Sequence, residues 1–466
     1  MAIPPPARAA RGAAAAGAGI AAASAALVCI PFAPGWAGVA GLGLAASAAL
    51  ASLLALWVAV PQLMVALVPT LVPSPNVAYT FAWEWALAVL MLALIVHAWR
   101  RGAPWLFQLG AVERRLLLFT AWALFTGFWC TSSLYYLLGV RRLVVAACTL
   151  WVAMRLPHIA SRRWFDLGIV GAASALALAA IAHARATGFS EAQALLHRAE
   201  VTHLGWGTAN YVASLLLLCG PALLRLVLRG GPRERVLGTV AFALVTIVEF
   251  IVASRAAMVL FVAGTMVQLL HATRRHRLAV GAGTAAAVAG LVASPLGAGL
   301  LSRLGSLREF GSMTIRIWYF REGARRLLQS LPWGLGLGQG YANADHLQGI
   351  DPHDYWLLVG GDLGLPGLVL WAGVLAAIVR ACWAVRIDER GRELAFTALL
   401  TFTLGNLHTL VEPTFQGGQY QLLFLWIVCG SLAYAQAERA RHQAVPAAHA
   451  AEPAPEWVPG QAASGV

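Results

Sequence analysis

Long apolar runs recur along almost the whole chain, separated by short polar or basic intervals. A helix that crosses a bilayer needs about 20 mostly apolar residues, and a chain in lipid has to satisfy its backbone hydrogen bonds internally. The runs therefore predict an all-α, polytopic transmembrane helical bundle with about twelve spans. We place spans at 79–99, 116–139, 164–184, 206–228, 236–253, 256–271, 278–298, 362–384, 395–411 and 419–437, with a shorter run at 143–154 and two or three helices within 16–72.

The same pattern divides the chain into a transmembrane helical domain over 1–437 and a tail over 438–466. The tail is rich in Ala and Pro and carries few bulky apolar residues, so we expect it to be disordered. Two polar intervals, 185–205 and 302–361, interrupt the domain and form its largest predicted loops.

Composition supports a membrane protein and argues against a separate soluble domain. Hydrophobic residues make up 60% of the chain and charged residues 11%, against about 25% charged residues in soluble domains. Every basic residue is an arginine, and the excess of arginines over acidic residues gives a net charge of +13. The arginines cluster in short intervals between spans. We assign this charge to topology and to anionic membrane lipids, not to nucleic acid. The positive-inside rule then places the tail in the cytoplasm, and 185–205 and 302–361 on the outer side.

The loop 302–361 contains a predicted amphipathic helix and a glycine-rich turn. Segment 312–329 is basic, and its apolar residues recur at helical spacing, which is typical of a helix resting on a membrane face. The apolar stripe consists of Ile317, Phe320, Ala324 and Leu327. The sequence GLGLGQG (334–340) does not follow a strand, so it is not a dinucleotide fingerprint. We predict a tightly packed turn with unusual backbone angles there.

Arginines on the predicted outer side are candidates for binding an anionic ligand. They are Arg198, Arg255 and, on segment 312–329, Arg316, Arg321, Arg325 and Arg326. Each one alone could instead snorkel to lipid headgroups or form a salt bridge. Glu249 precedes Arg255 by six residues and is a candidate buried partner for it, or a second polar site. Several arginines on the side where topology disfavours them indicate an anion, because guanidinium groups bind phosphate and carboxylate through paired hydrogen bonds.

His353 is the leading candidate for a general base. It lies in DPHDYW, immediately before the chain re-enters the membrane, and imidazole accepts a proton near neutral pH. Alternatively, it is an interfacial histidine hydrogen-bonded to Asp351 or Asp354. His346 is a competing base, and Glu412, predicted on the same side, could orient a base or pair with an arginine.

The sequence predicts no metal and no other cofactor. It contains no Asp-x-Asp pair and no cluster of Cys and His residues. The six cysteines lie singly in apolar runs, which is typical of buried thiols with no ligand role.

Several segments, taken in order, resemble one family, the bacterial O-antigen ligases and related O-antigen polymerases. The segments are WGTANYVA (206–213), SRAAMVLFVAG (254–264), RIWYFREGARRLLQSLPWGLGLGQGY (316–341) and PHDYWLLVGGDLGLPG (352–367). The resemblance covers about residues 180–370, and elsewhere only the hydropathy is similar. Asp354 departs from the family pattern, which usually has Asn at this position.

The resemblance implies a metal-independent glycosyltransferase of lipopolysaccharide biosynthesis in the bacterial inner membrane, with its active site facing the periplasm. The implied donor is a glycan linked to undecaprenyl diphosphate, and the implied acceptor is a sugar hydroxyl of lipid A–core. Arg198 and Arg255 match the family's essential arginines, and His353 matches its essential histidine. The residues that we expect to bind substrate are Arg316, Arg321, Glu412, Asn210 and Tyr355.

Two kinds of alternative stay open. An O-antigen polymerase or a protein O-oligosaccharyltransferase shares the donor and the motifs but uses another acceptor. A lipid or solute transporter also has many spans and few polar residues. Transporters, however, place binding residues near the midplane, often within internal repeats, and this sequence shows no repeat.

Overall fold

The computed structural model describes residues 61–74, 76–77, 80–100, 102–103, 105, 108–186, 209–252, 254–272, 310–339, 354–386, 391–410 and 418–450, with single positions between 278 and 293. These residues form helices joined by turns. The described part also has one short antiparallel pair, β1 (Asn76–Val77) and β2 (Thr80–Phe81).

The helices are α1 (Pro61–Thr70), α2 (Ala82–Arg100), α3 (Ala111–Phe125), α4 (Ser133–Ala153), α5 (Arg162–Ala186), α6 (Ala209–Arg229), α7 (Pro232–Val252), α8 (Arg255–Leu270), α9 (Phe310–Ser330), α10 (Tyr355–Arg386), α11 (Arg392–Thr409) and α12 (Gly418–Ala450). Two 3₁₀ turns lie at Thr126–Trp129 and Leu156–His158.

Six helices in the described ranges are long and apolar enough to cross a membrane. They are Ala82–Trp99, Ser133–Ala153, Arg162–Ala182, Asn210–Arg229, Tyr355–Val385 and Gly418–Arg441. The chain thus has the all-helical architecture expected of a helical membrane protein. The described residues do not reach about twelve spans; α8 is apolar but shorter, and the run 16–60 lies outside the described residues.

The prediction of a single span over 116–139 is wrong. The helix α3 ends at Phe125, a 3₁₀ turn follows, and α4 begins only at Ser133. The break is stabilised from far along the sequence. The Thr131 hydroxyl and the Ser132 backbone N–H both donate to the side-chain oxygen of Gln339, at 2.8 and 2.9 Å. Hydropathy alone does not reveal such a distant partner.

Two helices form the centre of the bundle, because α6 and α12 are buried on nearly all sides. Around α6 pack α5, α7, α8 and α11, while α12 contacts α4, α6, α10 and α11. Buried ion pairs fix some helix ends: Arg225 of α6 bonds Asp166 of α5, and Arg155 bonds Glu113 of α3. Charges in a low-dielectric interior need such partners.

The predicted amphipathic segment 312–329 is confirmed as a helix, α9. Its predicted apolar stripe is only partly covered by protein. Leu327 packs against Gly360 of α10, whereas Ile317 and Phe320 are 47% and 52% exposed. The uncovered half of the stripe is available to a lipid surface.

The last helix continues further than the sequence suggests. The structure extends α12 to Ala450, which differs from the prediction of disorder from residue 438 onward. Arg439 in this extension donates to the Ala384 carbonyl at 3.1 Å, and Glu438 pairs with Arg162 at 3.1 Å. These contacts dock the start of the extension against α10 and α5.

Candidate functional site

The structure describes some of the predicted site residues and not others. Arg198, His353 and Glu412 lie outside the described residues, as do His346 and Asp351. Asn210, Arg255, Arg316, Arg321 and Tyr355 are described. The candidate site is therefore built from these five residues and from what surrounds them.

Several helix termini meet at one end of the bundle, which we call the site end: the first turns of α6, α8, α10 and α12 and the last turn of α11. The Tyr211 hydroxyl, in the first turn of α6, accepts from the Tyr420 backbone N–H at 3.0 Å and donates to Gln419 at 3.3 Å. Arg142 of α4 acts electrostatically on both Tyr211 and Tyr355, which brings the start of α10 to the same place.

Three of the predicted site residues stand at these termini. Asn210 is the second residue of α6, Arg255 is the first of α8 and Tyr355 is the first of α10. The short connections between α6 and α7 and between α7 and α8 make α6 and α8 run in the same direction. Residues far apart in the sequence therefore share one end of the molecule.

The predicted ion pair between Glu249 and Arg255 is not found. The Arg255 side chain is exposed and makes no ion pair within the described chain. The Glu249 side chain is fully buried, and both of its oxygens lack a hydrogen-bond partner in the described ranges. It points inward, within electrostatic range of Cys219 on α6, while Arg255 begins the next helix and faces outward.

Arg316 is half-buried on α9 and interacts electrostatically with His408. His408 lies in the last turn of α11 and is fully buried. Neither of its ring nitrogens has a hydrogen-bond partner among the described residues. Sequence reasoning missed His408. The available signal was a histidine in an apolar helix, one turn before Glu412.

Arg321 is exposed and makes no ion pair within the described part of the chain, unlike its neighbours on α9. Glu322 bonds Arg325 at 2.6 Å and Arg326 at 3.1 Å. The hydrogen bond from Arg325, assisted by Arg326, lowers the pKa of Glu322 to about 2. Glu322 thus offsets part of the positive charge of α9 and leaves Arg321 available to an anion.

Asp354 has a structural role at the start of α10. Its Oδ1 accepts from the Leu357 backbone N–H at 2.9 Å, which is the geometry of an N-cap side chain bonding the third helical residue. Burial raises the pKa of Asp354 despite this bond. Asn and Asp are about equally good N-caps, so an Asn at this position could make the same bond.

The glycine-rich turn packs tightly, as predicted. We call it, with its partners, the turn junction: residues 331–339, the break at 126–132 and the α10 segment 361–365. Gly334, Gly336 and Gly338 have φ values of 81°, 104° and 78°, which only glycine adopts readily. The prediction of unusual backbone angles is confirmed.

The turn junction also completes a break in α10, where Gly364 has φ 67° and ψ −165°. Backbone N–H groups of Leu335 and Gly336 donate to the carbonyls of Gly361 and Asp362, at 2.9 and 2.8 Å. Leu365 N–H donates back to the Pro332 carbonyl at 2.9 Å. The groups that the break exposes are thus satisfied by the turn.

A cavity of about 90 Å³ lies beside the turn junction, between α3, α4, α10 and α12. Its walls are mostly apolar, with polar atoms from Arg142, Tyr355, Asp362 and Gln421. A water needs roughly 10–15 Å³ of such volume, so the cavity has room for several waters. Tyr355 and Gln421 lie in the first turns of α10 and α12, so the cavity adjoins the site end.

No group of three or more His, Cys, Asp or Glu side chains that could hold a metal ion occurs within the described ranges. The expectation of a metal-independent site stays a prediction, since His353 and Glu412 lie outside those ranges.

No family model matches the chain, and no curated protein matches it either. The resemblance to O-antigen ligases therefore rests on the motifs alone.

Proposed function

We propose that the protein is an O-antigen ligase, which transfers a glycan from undecaprenyl diphosphate to a sugar hydroxyl of lipid A–core. The reaction takes place at the periplasmic face of the bacterial inner membrane. The proposal includes about twelve spans, an outer location for 302–361, and a reaction without metal.

The placement of the described candidates supports this proposal best. Asn210, Arg255 and Tyr355 stand at helix starts of the site end, and Arg316 acts electrostatically on His408 there. Positive and polar groups thus gather where helices end, and an exposed apolar stripe lies on α9. A lipid diphosphate has a complementary chemistry, with an anionic head and an apolar tail.

The proposed mechanism is a direct displacement at the anomeric carbon. A new bond forms between the acceptor oxygen and the anomeric carbon while the bond from that carbon to the diphosphate oxygen breaks. His353 takes the proton of the acceptor hydroxyl. Arg198 and Arg255 neutralise the leaving diphosphate through paired hydrogen bonds, so the leaving group needs no proton. One displacement inverts the configuration at this carbon.

A polymerase or a protein O-oligosaccharyltransferase would use the same donor and differ in the acceptor. The described residues do not distinguish these acceptors, because His353, Arg198 and Glu412 lie outside the described ranges. A transfer assay with defined acceptors is therefore needed to identify the acceptor.

One observation favours a transporter as the second candidate. Transporters often bind substrate at discontinuous helices, and α10 is discontinuous at Gly364. In this protein, however, the backbone groups at the break bond the glycine-rich turn. A break that is closed by protein leaves no backbone groups for a substrate, and this weakens the transporter interpretation.

The test is transfer in proteoliposomes containing purified protein, undecaprenyl-diphosphate glycan and lipid A–core. We expect glycosylated lipid A–core to form and to persist in excess EDTA. His353→Ala should lower the transfer rate by about 10²–10⁴-fold, while His346→Ala serves as the control and should cost much less. Elongation of a glycan–diphosphate acceptor instead would identify a polymerase. Loss of activity in EDTA that magnesium restores would contradict the arginine-only mechanism.

A further inference from the structure

His408 differs from Asn406 and Thr409, the polar residues nearest to it in α11. Its neighbours in α11 satisfy their own side chains locally: Asn406 donates to the Phe402 carbonyl and Thr409 to the Asn406 carbonyl, both at 2.8 Å. His408 is fully buried, and neither ring nitrogen is bonded within the described chain. A buried polar group without a partner is costly, and in native proteins such groups often mark a ligand site.

The surroundings of His408 are rich in hydrogen-bond donors. Arg316 acts electrostatically on the ring. The Gln419 side-chain nitrogen also has no hydrogen-bond partner within the described residues. Tyr420, next to Gln419, donates to the Gly405 carbonyl at 3.0 Å, one turn before His408. Gln419 and His408 therefore lie at the same level of the α11–α12 hairpin.

These groups together select an anion. Arg316 and the Gln419 amide nitrogen can only donate, and a neutral imidazole donates through one of its nitrogens. Donors that converge beside a fixed positive charge suit a phosphate oxygen better than they suit a neutral sugar. His408 lies in the last turn of α11, beside the first turn of α12, so these groups belong to the site end.

We infer that His408 hydrogen-bonds the phosphate oxygens that Arg316 attracts, so that the diphosphate head of a prenyl lipid is held between α11 and α12. The inference rests on the proposed function for the identity of this lipid. His408 acts as a positioning residue, because it binds the head and takes no proton in the transfer.

The experiment measures binding without chemistry. The purified full-length protein in nanodiscs is titrated with farnesyl diphosphate and, separately, with inorganic diphosphate. The His408→Leu variant removes both ring nitrogens, and we expect about tenfold weaker binding of farnesyl diphosphate. His408→Gln keeps one donor and should bind with intermediate affinity. Thr401→Val is the matched control, because Thr401 lies two turns earlier on the same face of α11 and its buried hydroxyl also has no partner among the described residues.

Each result decides between the inference and its alternatives. Weaker binding by both His408 variants, with unchanged binding by Thr401→Val, supports the inference. If the His408 variants also bind inorganic diphosphate more weakly than wild type does, the site recognises the anion alone. If inorganic diphosphate does not bind wild-type protein, the prenyl chain is required for binding. Wild-type affinity in a folded His408→Gln or His408→Leu protein overturns the inference.

Failure of the inference and failure of the proposed function are separable. Wild-type protein that transfers glycan while both His408 variants bind normally would retain the function and remove the role of His408. His408-dependent binding in a protein that transfers no glycan would remove the ligase function and keep the diphosphate site. If wild-type protein does not bind farnesyl diphosphate, the inference is wrong, and the transfer assay alone decides the proposed function.

Discussion

The turn junction and the site end differ in whether their buried polar groups have hydrogen-bond partners. In the turn junction, Gly338 N–H bonds Asp362 at 2.8 Å, and the Gln339 amide accepts from Ser132 N–H and donates to the Ser132 carbonyl. Near the site end, Glu249 and His408 are buried with no hydrogen-bond partner in the described part of the chain.

This difference separates polar groups that build the fold from groups that await a ligand. Native proteins satisfy most of their buried polar atoms, so each exception needs an explanation. The turn junction shows that this chain can provide hydrogen-bond partners even for the backbone groups at a break in a transmembrane helix. Buried atoms without a hydrogen-bond partner also occur elsewhere in the described chain, for example on Trp426 and Ser431. We assign those of Glu249 and His408 to a bound substrate because they lie near the site end.

The largest expected effect comes from the turn junction. An added Cβ at Gly338 would collide with the Tyr135 backbone carbonyl, and φ there is 78°. Gly338→Ala combines backbone strain with overpacking against a carbonyl that cannot rotate away. We expect a loss of at least about 4 kcal/mol, measured as loss of monodisperse protein after solubilisation.

Gly361→Ala is the control for this variant. Gly361 lies in the same junction, but an added Cβ there meets nothing within 4 Å. It should behave as wild type. Equal stability of the two variants would show that the junction is not rigid and that its saturated hydrogen bonding does not distinguish it from the site end.

The sequence predicts the parts of this comparison that depend on local chemistry. Glycines at 334, 336 and 338 require a turn with positive φ, and the structure has one. The arginine-rich segment with Ile317 and Phe320 at helical spacing predicts α9. Both depend on residues within a few turns of each other, and for that reason sequence reasoning finds them.

The parts that depend on distant partners could not be predicted. Residues 126–132 look like a continuation of an apolar span, and the break is explained by partners in the glycine-rich turn, more than 200 residues away, such as the Gln339 amide and the Leu337 backbone N–H. Whether the buried His408 and Glu249 side chains meet hydrogen-bond partners likewise depends on how the helices pack. From the sequence, Glu249 suggested a pair with Arg255, and only the direction of its side chain excludes that pair.

A middle-sized effect is expected from Glu249 near the site end. If its buried carboxyl is kept for function, Glu249→Met should remove an unsatisfied polar group and raise stability by about 1–3 kcal/mol. Glycan transfer should fall at the same time, as in other trade-offs between activity and stability. Thermal unfolding in detergent and the proteoliposome assay measure the two quantities.

The matched variant Glu113→Met should act in the opposite direction. Glu113 is also a buried acid, but it pairs with Arg155, so its removal leaves an uncompensated buried charge and costs about 3–5 kcal/mol. Equal destabilisation by both variants would show that Glu249, like Glu113, stabilises the fold. In that case Glu249 is satisfied by residues outside the described ranges.

The smallest effect is expected on α9, where partners exist but solvent screens them. The Arg325 and Arg326 contacts lower the pKa of Glu322 to about 2, from an ordinary value near 4.5. A lowered carboxyl pKa stabilises the folded protein above the ordinary value, and this contribution is lost as the pH falls toward the folded value. Glu322 and Arg326 are partly covered and Arg325 is exposed. Ion pairs that solvent still reaches contribute little, so Glu322→Gln should lower the melting temperature by no more than about 2 °C at pH 7. The difference from wild type should stay constant down to about pH 5 and shrink between about pH 4.5 and 2.

Arg321→Gln, on the same helix without an ion pair in the described chain, should show no such pH dependence. A large and pH-independent loss in Glu322→Gln would mean that Glu322 belongs with the partnered groups that build the fold.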